Sequence, residues 1–153
     1  VLARWEKVGN FFGTYYRSLD EKNRLQLPSK LVGEMPQRLY VLKGFEGCLS
    51  VYEEPEFKAL LKRLSELSYL DPSKRRFIRL ATSSAVPLDV DSHGRIGISK
   101  DLVDAYHIGR DVAVIGVLDH FEVWDKAAYE RYHAESEPLY EKLAKEAEPP
   151  SGE

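Results

Sequence analysis

Two short stretches alternate strictly between polar and apolar side chains, Arg24-Leu25-Gln26-Leu27 and Arg95-Ile96-Gly97-Ile98. A period of two puts successive side chains on opposite faces, so each stretch predicts a strand buried on one side only. Pro28 and Ser99 end these strands, and Leu31-Val32 or Leu102-Val103 begins a short helical turn. Downstream lie two apolar blocks, Tyr40–Phe45 with Leu49–Tyr52, and Val112–Val117 with Phe121–Trp124. Each block predicts a hairpin, broken at Gly47 in the first and at Asp119-His120 in the second. Elsewhere the spacing is helical. Glu54-Pro55 marks a helix start, followed by Phe57, Leu60, Leu61, Leu64 and Leu67. Asp71-Pro72 marks a second start leading into Phe77, Leu80 and Ala81, and residues 126–134 place Tyr129, Tyr132 and His133 on one face. A last helical stretch after Pro138 carries Leu139, Tyr140 and Leu143.

The strand blocks are copies of each other. Asp20-Glu21-Lys22-Asn23-Arg24 matches Asp91-Ser92-His93-Gly94-Arg95 at an offset of 71, and Gly44 matches Gly116 at an offset of 72. Two blocks in the same order define a tandem repeat. Within each copy, Asn23 or Gly94 follows a short strand as a turn residue tolerant of positive φ. One copy is strand, turn, strand, short helix, hairpin, too small to bury a core alone. Two copies that interleave their strands into a closed barrel would share a core and remove exposed edges.

Composition changes this picture little. A 43% hydrophobic and 31% charged chain is globular in character. No apolar run is long enough for a membrane span, and the first residues lack the features of a signal peptide, so a cytoplasmic protein is expected. Cys48 is the only cysteine, which excludes an intrachain disulfide and a cysteine metal cluster. The four histidines show no metal-ligand spacing, and no nucleophile–His–acid set or phosphate-binding glycine loop is present. Neither metal, cofactor, small-molecule substrate nor enzymatic activity is therefore expected. The net charge of -3 hides an asymmetry: residues 1–80 carry a surplus of five cations, residues 81–153 a surplus of eight anions. A local basic face is compatible with that distribution, as is a solvated surface with an acidic tail.

The doubled Asp-x-x-x-Arg segments, with Gly13-Thr14-Tyr15, Lys43-Gly44-Phe45-Glu46-Gly47-Cys48-Leu49, Arg75-Arg76-Phe77 and Phe121-Glu122-Val123-Trp124-Asp125-Lys126, resemble the MraZ family from about Phe12 to about Glu137. The resemblance implies an α+β protein with two AbrB-like repeats forming a swapped-hairpin (double-split) β-barrel, at residues 12–54 and 84–125. A helical connector would span 55–83 and a C-terminal helical segment 126–147, with flexible ends at 1–11 and 148–153. It implies a regulator of the bacterial division and cell-wall gene cluster, located in the cytoplasm at the nucleoid. That regulator would bind double-stranded DNA at promoter repeats as a homo-oligomeric ring. The family's DNA-contacting arginines fall on Arg24 and Arg95, with Lys22 and Arg17 as further basic contacts. Asp20 and Asp91 are expected to make turns or orient the arginines, and Asn23 and Gly94 to hold the turns. Asn23 stands where the first motif commonly has glycine, and Ser99 where the second commonly has proline. Arg75, Arg76 and Arg79 are expected on the solvent face of a helix, with phosphate contact as the alternative. An antitoxin-like interaction module and a ring-former without DNA activity are the competing readings.

Overall fold

A computed structural model describes residues 11–148. The first repeat comprises β1 (Thr14–Ser18), β2 (Arg24–Gln26), the one-turn helix α1 (Ser29–Val32), β3 (Arg38–Lys43) and β4 (Leu49–Glu53). The connector holds α2 (Glu54–Ser65) and α3 (Pro72–Ser83). The second repeat supplies β5 (Val86–Asp89), β6 (Arg95–Gly97), α4 (Lys100–Ala105), β7 (Asp111–Val117) and β8 (His120–Asp125). After these come α5 (Lys126–Ser136), a 3-10 turn (Glu137–Leu139) and α6 (Tyr140–Glu146).

Helix starts follow local chemistry. Pro55 opens α2 in its first turn, where a missing backbone N–H costs nothing. Asp71 caps α3 by accepting from the Ser73 and Lys74 amides, Ser99 caps α4 through Leu102 N–H, and Asp125 caps α5 through Ala128 N–H. The α2 periodicity ends sooner than its apolar spacing implies, because the helix stops at Ser65 and leaves Leu67 outside.

The strands form a six-stranded antiparallel sheet, ordered β1-β7-β8-β4-β3-β5, and a separate two-stranded ribbon, β2-β6. Exchanging equivalent strands of the two repeats reproduces the same order, so the sheet has a pseudo-two-fold axis between β4 and β8. The first strand of each repeat pairs with the other repeat's hairpin: β1 lies along β7, with Thr14 opposite Ile115, and β5 along β3, with Arg38 opposite Asp89. The closed barrel expected from the sequence is not formed. Among the described residues β1 and β5 are the sheet's two edges, and β2 and β6 bond only to each other as strands. The physical reason is length, since three-residue strands pair across the axis and have no reach left to stitch the sheet edges together.

One core lies between ribbon and sheet. Leu25, Leu27, Ile96 and Ile98 descend from the ribbon side onto Leu39, Val41, Leu49, Val51, Val112, Val114, Phe121 and Val123 of the sheet. The other face of the sheet is covered by α2 and α3 over β3 and β4, and by α5 over β7 and β8. That is why all five residues of β4 are buried rather than alternating. Under α5, Cys48, Ala113 and Trp124 form a second small cluster against Ile115 and Tyr129. Phe11, expected in a flexible end, is instead buried and bridged to Leu118 in both directions. The remainder of the expected flexible ends, 1–10 and 149–153, lies outside the described residues.

Candidate nucleic-acid interface

The two Asp-x-x-x-Arg segments fold into near-identical tips. In the first, Asn23 N–H bonds to Asp20 C=O at 3.0 Å and Asp20 N–H to Arg24 C=O at 3.1 Å. In the second, Gly94 N–H bonds to Asp91 C=O at 3.0 Å and Asp91 N–H to Arg95 C=O at 2.9 Å. Each is a three-residue hairpin loop ending in a left-handed residue, Asn23 at φ 56° and Gly94 at φ 76°. Asn tolerates that region without a glycine's freedom, which accounts for its presence at the first tip. At Gly94 the positive φ is the constraint, since a Cβ there would meet only side-chain ends, Cε of Met35 at 2.9 Å first, that can move aside.

Each aspartate makes the turn and holds its arginine. Asp20 Oδ1 accepts from Lys22 N–H and Arg24 N–H, both at 2.9 Å, while its Oδ2 accepts from Arg24 Nε at 2.6 Å. Asp91 Oδ1 accepts from His93 N–H and Arg95 N–H at 2.9 Å, and its Oδ2 from Arg95 Nε at 2.9 Å. The backbone amide of Arg24 is the main influence that lowers the Asp20 carboxyl to about 2, assisted by the Arg24 guanidinium and the Lys22 amide against partial desolvation. Asp91 is lowered for the same reason, with Arg95 and His93 as its partners.

The tips are locked across the pseudo-dyad. Leu25 pairs with Ile96 at the ribbon's centre, flanked by Arg24 opposite Gly97 and Gln26 opposite Arg95. Leu27 N–H bonds to Gly94 C=O at 3.0 Å and Ile98 N–H to Asn23 C=O at 2.9 Å, so each turn residue anchors the other repeat's strand. Gln26 adds a one-sided tie, its Nε2 donating to His93 C=O at 2.9 Å, which sequence reasoning missed because Gly97 occupies the equivalent position. Since Leu25 and Ile96 point to the core, the alternation sends both arginines to the outer face. Asp20 Oδ2 reaches both guanidinium groups, lying 3.8 Å from Arg95 Nη1. The arginine side chains remain 34% and 25% exposed, enough to offer donors outward while held from beneath.

The other candidates are placed less firmly. Lys22 is exposed at the first tip, where the second carries exposed His93. Arg17, on β1, lies over the Tyr15 ring at 5.9 Å and donates to Tyr16 C=O at 2.9 Å. Arg76 and Arg79 are exposed on α3. Arg75 is half-buried because it donates to Tyr69 C=O at 2.9 Å and lies over that ring. Tyr69 sits in a loop without periodicity, so this contact had no sequence signal.

Comparison with known proteins agrees with the internal duplication. The family model for MraZ protein, described as antitoxin-like, matches residues 11–80 and again 81–148. The chain is 40% identical over 130 residues to the "Transcriptional regulator MraZ" of Nocardia farcinica, covering 85% of this chain and 91% of that protein. It is 39% identical to the protein of the same name from Corynebacterium jeikeium, covering 83% and 89%. With that of Alkaliphilus metalliredigens the identity is 33%, over 90% and 96%.

Proposed function

The chain belongs to the MraZ family, and on that premise we propose that it is a sequence-specific DNA-binding transcription regulator working through Arg24 and Arg95. The relatives named above are called transcriptional regulators. The observation that carries the reading is the presentation of two aspartate-held guanidinium groups on one outer face, on either side of a pseudo-dyad. A two-stranded ribbon fits the major groove, and an arginine fork there bridges two acceptors of guanine, worth about 1–3 kcal/mol of discrimination each. Holding Nε from behind leaves the terminal nitrogens to face the base edges and lowers the entropy lost on binding. The pseudo-two-fold of the ribbon suits the local two-fold of a duplex, so Arg24 and Arg95 address opposite strands. Lys22 and Arg17 serve as phosphate contacts beside them, which fix register without reading sequence.

A single chain has a small cationic footprint, because Asp20 and Asp91 offset the two arginines. The regulator therefore acts as a homo-oligomer, a ring in its closed form, on repeated promoter sites of the division and cell-wall gene cluster. Linked contacts of this kind raise binding about 10²- to 10⁴-fold when spacing suits. The protein works in the cytoplasm at the nucleoid, on a fold related to the AbrB-type swapped hairpin. An electrophoretic shift on the DNA upstream of its own gene tests this. Arg24→Ala and Arg95→Ala, at matched oligomeric state, should each weaken the shift and together abolish it. An undiminished shift by the double variant removes the site assignment.

A further inference from the structure

The pseudo-dyad through the ribbon holds for the backbone and fails for the side chains of its outer face. Residues directly opposite on paired strands are neighbours on one face, so each arginine has one cross-strand companion. Arg95 has Gln26, and Arg24 has Gly97. Gln26 and Gly97 are equivalent positions, 71 apart like the arginines themselves. Gly97 is exposed, and a Cβ there would meet nothing within 4 Å. The ribbon backbone beside Arg24 is therefore bare. Beside Arg95 the corresponding space holds the Gln26 side chain, whose Nε2 donates to His93 C=O at 2.9 Å and to Gly94 C=O at 3.2 Å.

Ion pairing is unequal in the same direction. Arg24 has one carboxylate partner, Asp20, through Nε. Arg95 has two, Asp91 through Nε at 2.9 Å and Asp20 through Nη1 at 3.8 Å. Among the described residues no ion pair of the second kind joins Arg24 to Asp91. A terminal nitrogen of Arg95 must thus turn from a carboxylate to meet a base, and those of Arg24 need not. Lys22 adds a cation beside Arg24. The second tip has in its place His93, whose Nδ1 lies 3.4 Å from Ser92 Oγ.

We infer that Arg24 is the principal base reader and Arg95 the subordinate one, and that Gly97 and Gln26 set this order. Gly97 lets a duplex come down to the ribbon backbone, so Arg24 reaches further into the groove. Gln26 stands between the duplex and the backbone beside Arg95. Both are positioning residues, since they act through the arginines and need touch no base. The inference rests on the proposed reading of DNA by Arg24 and Arg95, and adds which of the two dominates and what decides it.

The test measures fluorescence anisotropy of the labelled duplex from upstream of the chain's own gene, at fixed salt and matched oligomeric state. Thermal unfolding checks the fold of each variant. Arg24→Ala should lose about fivefold more affinity than Arg95→Ala. Gly97→Gln should weaken binding by itself, and Gln26→Gly should not. In the exchanged chain, which carries both Gln26→Gly and Gly97→Gln, each arginine has the other's companion, and the gap between the two alanine substitutions should close. A purely structural role would lower stability and leave that gap as it was. Gln26→Ser replaces Gln26→Gly if the latter does not fold. Equal losses for Arg24→Ala and Arg95→Ala in the parent chain, or a gap that survives the exchange, overturn the inference and leave base reading by both arginines standing. No loss from either substitution removes the proposed function, and this inference with it.

Discussion

Leu25 and Ile96 face each other at the centre of a ribbon three residues long, and neither exposes any surface. They fasten the face proposed to read DNA to the core, so truncating them tests whether the ribbon is a packed roof or a loose strap. Leu25→Ala removes about three buried carbons, worth about 2.4 kcal/mol at roughly 0.8 kcal/mol per CH₂ group. The residual void raises the expected loss to about 3 kcal/mol, within the 2–5 kcal/mol typical of such truncations. Ile96→Ala should cost a similar amount. Because the two share one void, the double variant should lose less than the sum of the singles, by about 0.5–3 kcal/mol. Urea denaturation measures all three, with midpoints falling while the slope stays constant. At a temperature where the single variants remain folded, their DNA affinity should also fall, because the same ribbon carries Arg24 and Arg95. A loss below about 1 kcal/mol for Leu25→Ala would refute the idea that the ribbon is part of the core.

Gly116→Ala places a Cβ against the Phe11–Phe12 backbone, with no flexible side chain to yield. It should destabilise by about 2 kcal/mol and expose the Phe11 and Leu118 amides to hydrogen exchange; unchanged protection there would contradict the close approach. The Asp20 carboxyl, lowered to about 2, contributes stability that is complete above the ordinary value of 3.8 and lost as pH falls through about 2. Its carbon-13 titration should show that low midpoint in the native protein and rise only part of the way towards the ordinary value in Arg24→Ala, which removes the guanidinium and keeps the backbone amides of residues 22 and 24; an ordinary midpoint in the parent chain would mean the tip is not held. Burial pushes the Cys48 thiol up to about 12, with the nearby Glu122 and Glu46 carboxylates adding to the effect. Aromatic disulfide reagents should therefore leave it unmodified at pH 8 in the native protein and titrate it fully in guanidinium; rapid native reaction would show the α5 cluster to be open.

Much of this molecule was legible because its signals are local. The period of two in Arg24–Leu27 and Arg95–Ile98 fixed which side chains face inward, and the Asp-x-x-x-Arg spacing put one acceptor beside three donors. Pro55 and Pro72 marked helix starts within a residue or two. What escaped was set by partners far along the chain. Nothing in Thr14–Ser18 specifies Asp111–Val117 as its neighbour, and only three-dimensional reach decides that the ribbon stands apart from the sheet. Gln26 looks like an ordinary outward residue of a half-buried strand, and its bond to the second tip needs the dyad to bring His93 near. The stripe at Leu139–Leu143 read as a helix face, but periodicity does not say whether a face is covered.

The most direct measurement compares binding of the promoter duplex and a scrambled duplex by fluorescence anisotropy, for the parent chain, Arg24→Lys and Arg95→Lys. Lysine keeps the charge and loses the planar fork. The account predicts that each variant binds the scrambled duplex nearly as well as the parent chain, with the same salt slope. On the promoter each should lose about 5- to 150-fold, the equivalent of 1–3 kcal/mol for a base-reading fork. Equal losses on both duplexes, or no loss on either, would contradict base reading by the two arginines.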